Sequence, residues 1–183
     1  MTQSERPLAG ARPFLVLAGI GGLAIFILVL AMLRDPGMPA HVQEDYMRVA
    51  GGLLRPEIPL PEVDSLSVQL RDRFGHSVRV PALAAHRFTL EGGAISEPGG
   101  TPAAVAIYHS HLRDLLVWHA YAGSVSSLPE TNDVRERDGR EYFVHRKATN
   151  TLVFWQNGPL VEVITCGLPS EQVFNIALTA SKE

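Results

Sequence analysis

The chain has 183 residues, of which 46% are hydrophobic and 19% charged, a composition that supports a packed core and excludes wholesale disorder. A formal net charge of −3 removes the electrostatic footing of a nucleic-acid binder, so no nucleic-acid partner is expected. With one cysteine, Cys166, the chain can form neither an intrachain disulfide nor a cysteine-based zinc cluster.

From Pro13 to Leu33 the chain reads PFLVLAGIGGLAIFILVLAML, without a charge or a strongly polar side chain. About 20 helical residues cross a hydrocarbon core of ~30 Å, and side chains of this kind favour insertion by on the order of 5 kcal/mol. The run is read as a single transmembrane helix over 13–33, so the lipid bilayer is an expected partner. Arg12 and Arg34 bracket it, and Asp35-Pro36-Gly37 ends it. A core helix of this length would hold a polar position. A cleaved signal peptide would carry a shorter apolar run and a small-x-small site behind it, and neither is found here, so an uncleaved signal anchor is preferred. Arg6 and Arg12 on one side stand against Arg34, Arg48 and Arg55 on the other, and this count leaves the orientation open.

Residues 34–61 are read as a juxtamembrane helix followed by a spacer. Val42, Tyr46 and Val49 are spaced for one helical face between Met38 and Val49. The stretch LLRPEIPLP (53–61) must be extended and reads as a stiff spacer that lifts the domain from the bilayer. A domain over 62–183 follows. It opens with an amphipathic helix from Glu62 to Phe74, with Val63, Leu66, Leu70 and Phe74 on one face and Gly75 placed to end it. The period then changes to two. Strands are expected at 87–90, 103–108, 115–121, 140–145, 151–155 and 160–165. The turns between them are Gly92-Gly93, Glu97-Pro98-Gly99-Gly100, Asp138-Gly139 and Asn157-Gly158. The polar stretch from Gly123 to Arg137 reads as a mobile excursion. A last helix is expected from Pro169 to Ala180, with Val173, Phe174, Ala177 and Leu178 facing a core. The fold class is therefore α+β: one helix, an antiparallel meander, and a closing helix on one sheet face.

Few residues suggest chemistry. His109 and His111 would project to one face of a strand, and His119 lies where a hairpin partner could approach them, a candidate metal group. The plainer reading makes Ser110–Asp114 the turn, with the histidines solvated beside it. Cys166 follows an apolar strand and precedes a helix, a place that can lower a thiol pKa for a redox role, although a small packing residue suits the same place. No G-x-S-x-G elbow, phosphate loop, dinucleotide turn or H-E-x-x-H helix occurs. No catalytic residue and no cofactor are expected, and Trp118, Phe154 and Trp155 read as cross-strand packing.

The order of these phrases resembles the membrane anchor and extracytoplasmic C-terminal domain of bacterial transmembrane anti-sigma factors. The likeness rests on DSLSVQLRDRFGHSVRVPAL (64–83), FTLEGGAI (88–95), TPAAVAIY (101–108), LLVWHAY (115–121) and LVFWQNGPLVEVITCGLPSEQVF (152–174). Two departures stand out. Members of that family begin with a cytoplasmic zinc-binding domain that grips the sigma factor, whereas residues 1–12 hold neither His nor Cys, so direct sigma-factor binding in the usual way is not expected. The corner that carries Ser-Asp in the family reads Cys166-Gly167 here. The resemblance implies a short cytoplasmic tail over 1–12, a single pass of the bacterial inner membrane and a periplasmic domain. It also implies a non-enzymatic regulatory or interaction role through a membrane or periplasmic protein partner. The alternative is a periplasmic metal- or redox-responsive binder using His109, His111 and His119, with Cys166 as its thiol.

Overall fold

A computed structural model describes residues 37–59, 61–147 and 149–182. The expected transmembrane helix over 13–33 and the tail before it lie outside the described residues, among which no helix is long and apolar enough to cross a membrane. Residues Pro36–Glu183 form one compact unit.

The fold is α+β. A seven-stranded antiparallel sheet carries three helices: α1 (Met38–Ala50), α2 (Val63–Phe74) and α3 (Ser170–Ala180). The strands are β1 (Phe88–Ser96), β2 (Ala103–Ser110), β3 (Leu115–Ala122), β4 (Val134–Arg137), β5 (Arg140–Lys147), β6 (Asn150–Asn157) and β7 (Leu160–Cys166). Their order across the sheet is β1-β2-β3-β7-β6-β5-β4. The expected single meander is thus two meanders, β1 to β3 and β4 to β7, joined where β3 pairs with β7 from Leu116↔Cys166 to Ala122↔Leu160. The cause is visible in the central strands. LLVWHAY and LVEVITC are buried at every position, which demands cover on both faces and neighbours on both sides.

Both faces are accordingly covered. On the first, Ala106, Trp118, Trp155 and Ile164 pack under Leu66 and Leu70 of α2 and under Val173, Phe174, Ile176 and Ala177 of α3. On the second, Val105, Val117, Phe154 and Val163 lie on the side of Val42 and Tyr46 of α1. The expectation of a helical layer on one face only is corrected by α1. This helix belongs to the folded unit, which therefore begins well before the expected boundary at residue 62.

Three further expectations change. The proline stretch does not stand free as a spacer. Ile58 is 3% exposed and exchanges two backbone hydrogen bonds with Gly93, of 2.9 and 3.0 Å, so the segment covers part of the β1 edge. Gly92-Gly93 is not a turn but a bulge within β1, where the register slips between Leu90 and Gly92. A Cβ on Gly93 would lie 2.7 Å from the Val105 carbonyl oxygen and 2.8 Å from Leu66 Cδ1, so the glycine is required by close approach and not by a reversal of the chain. Finally, part of the expected excursion is strand β4, a short, charged edge (VRER) of the kind that resists pairing with another chain.

The remaining elements follow their local chemistry. α2 ends where Gly75 takes φ +79° and its N–H reaches the Arg71 carbonyl. Asp138 and Gly139, with φ of 56° and 73°, make the two-residue turn between β4 and β5. The β6–β7 hairpin forms one residue later than the Asn-Gly pair suggests. Asn157 pairs with Leu160, and the loop is Gly158-Pro159, with Gly158 at φ +57°.

Candidate functional site

The three histidines singled out in the sequence are not brought together. His109 is level with Leu115 across the β2–β3 pair, and His119 is level with Val105. Four residues of strand, about 13 Å at ~3.3 Å per residue, separate the two levels. His109 is half-exposed and pairs with Glu91 at 2.9 Å. His111 stands exposed on the turn, whose geometry is set by Ser110: its hydroxyl donates to Asp114 Oδ2 and accepts from the Leu112 and Asp114 amides. Among the described residues no three His, Cys, Asp or Glu side chains gather as a metal-holding group. The proposed cluster is therefore corrected: a strand keeps its residues in line and cannot fold His119 back onto the turn.

Cys166 is wholly enclosed at the end of β7. Burial pushes its thiol up to about 11, and the nearby Asp114 charge adds to this. The amides of Leu168 and Gly167 pull the other way without prevailing. Desolvation outweighs any lowering by the following helix, so of the two readings of Cys166 the packing residue fits, with the group held as the thiol.

His119 has a different partner. It is 0% exposed, on the face of β3 that α1 covers. Along α1 the buried positions are Pro39, Val42, Asp45 and Tyr46, so Asp45 falls on the same stripe as Val42 and Tyr46. Its carboxylate enters the interface at 2% exposure. Oδ1 accepts from Arg48 Nη1 at 2.9 Å, while Oδ2 lies 3.6 Å from His119 Nε2, too long for a hydrogen bond. Burial by itself would raise the Asp45 carboxyl. The polar contacts of His119 and Ser96, the His119 charge and Arg48 outweigh it together and hold the group below its ordinary value. The carboxylate is the favoured form although it is almost out of water.

The surroundings of this pair are poorly satisfied. Asp45 Oδ2, both ring nitrogens of His119, Ser96 Oγ, Tyr121 OH and Thr165 Oγ1 are buried without a hydrogen-bond partner. Ser96 lies at the β1 end opposite Ala103, itself opposite Tyr121. A carboxylate beside an imidazole has the makings of the orienting half of a nucleophilic triad, but the pair is sealed from any substrate. What it can do is hold a helix against a sheet, with the desolvation cost of the buried carboxylate set against its contacts with Arg48 and His119.

The first face offers a contrast in Glu162, which is 3% exposed. Burial raises its pKa above the ordinary carboxyl value, opposed by hydrogen bonds from Asn157 and Trp118 and by the Arg140 charge. Asn157 Nδ2 donates at 2.6 Å and Trp118 Nε1 at 3.4 Å. This carboxyl is supplied with donors and reads as part of the core.

Asp45 escapes a sequence scan because apolar periodicity does not score a carboxylate. Its placement between Val42 and Tyr46 at helical spacing is the signal that could have found it. Comparison with known proteins adds little. No protein-family model and no curated protein matches the chain. Among solved structures, a GTP-binding regulator from Thermotoga maritima is similar at 11% identity and a TM-score of 0.39, over 53% of this chain and 80% of that one. A likeness at that level carries no argument.

Proposed function

We propose that this protein is a single-pass, membrane-anchored regulatory or interaction protein without enzymatic activity. In this reading residues 13–33 span the bacterial inner membrane with the N-terminus inside. The α+β body lies in the periplasm and acts through a membrane or periplasmic protein partner, in the manner of the anti-sigma factors whose extracytoplasmic domain the sequence resembles. The observation that carries it is the place of α1. This helix begins at Met38, five residues after the apolar run ends, and it is fastened to the sheet by a buried carboxylate–imidazole contact. The first element after the tether is thus part of the body that would receive or transmit a signal.

The reading is tested in membranes. The full chain is expected to resist carbonate extraction at its uncleaved length, and a C-terminal reporter is expected to be active only outside the cytoplasm. Gentle detergent extraction should co-purify a stoichiometric protein partner. Release by carbonate with loss of some thirty residues, or a reporter active only in the cytoplasm, would remove the proposal.

A further inference from the structure

α1 and α3 are attached to the sheet in different ways. α3 buries Val173, Phe174, Ile176, Ala177 and Ala180, all apolar. α1 buries Pro39, Val42, Asp45 and Tyr46, so a carboxylate occupies the middle of its contact stripe. That carboxylate meets an imidazole at 3.6 Å, with unpartnered polar atoms around both. An interface of this kind forfeits hydrogen bonds that the separated surfaces would make with water. The helix is bounded by Gly37 at φ +78° on one side and by Gly51 and Gly52, the latter at φ +70°, on the other, positions that tolerate large changes of backbone angle.

We infer that α1 is a releasable strap: it leaves the sheet as a unit between the Gly37 and Gly51–Gly52 hinges while the seven strands and the other two helices stay folded, and the Asp45–His119 contact is the catch that holds it. Closed, the pair is out of water: Arg48 donates to one carboxylate oxygen at 2.9 Å, and the imidazole stands 3.6 Å from the other without a hydrogen bond. Opened, Asp45, His119, Ser96 and Tyr121 regain hydration, which offsets the loss of the Val42 and Tyr46 contacts. Sub-global opening of one weakly held element is an ordinary property of folded proteins. Here the composition of the interface selects which element opens. The idea rests on the proposed function only for what pulls the strap; the catch itself belongs to the folded body.

Hydrogen–deuterium exchange on the full chain in detergent micelles reads it directly. Peptides from α1 are expected to exchange at least tenfold faster than those from β3 and β7. His119→Leu leaves the Asp45 carboxylate facing an apolar side chain, with Arg48 alone on its other oxygen, and should speed α1 a further tenfold, with β7 and α3 unchanged. Replacing both members, Asp45→Leu with His119→Leu, exchanges the pair for an apolar contact and should slow α1 at least tenfold relative to the natural chain. The double variant keeps the test alive if the single one fails to fold. Overturning results are α1 exchanging at the rate of β3 in the natural chain, or a double variant whose α1 is no slower. A C-terminal reporter active in the cytoplasm would end the topology reading and leave these rates untouched, so the two failures are distinguishable.

Discussion

The two faces of the sheet are built from the same strands and are held by different physics. On one, two helices press aliphatic and aromatic side chains onto Trp118, Trp155 and Ile164, and the single buried carboxylate, Glu162, has its donors. On the other, one helix brings a carboxylate of its own to His119, Val125, Leu128 and Phe143 pack beside it, and several polar atoms, Tyr121 OH and Thr165 Oγ1 among them, are left unpaired. The first face is a core that either exists whole or does not. The second is a contact between surfaces that water also suits. Alternation of side chains along a strand makes such asymmetry available to any two-sided sheet.

Truncation should expose the difference most strongly. Trp118→Ala removes a fully buried ring and the donor to Glu162, and is expected to cost about 3–5 kcal/mol of global stability, seen as a large fall in the urea midpoint. Val42→Ala on α1 removes two methyl groups from the second face, about 2 kcal/mol with its cavity. That loss is expected in α1 exchange, with the midpoint followed by tryptophan fluorescence nearly unchanged. If both variants lower that midpoint in proportion to their size, the faces form one cooperative unit.

Acidity gives a second, smaller contrast. His145, on the α1 side of β5 and 8% exposed, has its pKa lowered by burial and then by the Lys147 charge. A depressed imidazole binds its proton more readily in the unfolded chain, so its contribution is intact above the ordinary histidine pKa near 6.5 and is lost as pH falls below it. The melting temperature should therefore decline between about pH 7 and 5, and His145→Phe should flatten that decline. Glu162 carries the opposite sign. Its raised pKa is a cost fully present above the folded value and absent below the ordinary glutamate value of about 4.3. Glu162→Gln should raise the melting temperature at pH 7 and converge with the natural chain near pH 4. A higher melting temperature for the variant at both pH values would show that the cost is steric, not ionic.

The smallest effect is expected at Cys166. A thiol enclosed and held at about 11 should react with a disulfide reagent only after unfolding, at a rate set by opening of the first face. Rapid labelling of the folded chain would mean that this face also breathes.

Much of the first face is legible in the sequence, since it follows from periodicity. Leu66, Leu70, Val173 and Phe174 recur at helical spacing, and the strands from Ala103 onward alternate between turns of recognisable chemistry. Pairing between distant strands leaves no local mark, so the junction of β3 with β7 is not legible, although the unbroken apolar character of LLVWHAY suits a central strand. β4 is too short and too charged for a pattern to rise above its neighbours. Gly92-Gly93 misleads because the same residues serve a turn and a bulge. The second face is half-hidden: Val42 and Tyr46 announce the stripe, while Asp45 between them looks like solvated surface. His119 groups with its neighbours in sequence, whereas its partner lies 74 positions away.

Both tryptophans of the chain, Trp118 and Trp155, lie on the first face, so intrinsic fluorescence reports that face alone. The decisive measurement is a single urea titration of the full chain in micelles, read at once by tryptophan fluorescence and by amide protection in α1. Loss of α1 protection at lower urea than the fluorescence change is what a separately held strap requires. Coincident transitions would mean that helix and sheet unfold as one body, and the catch would have no function.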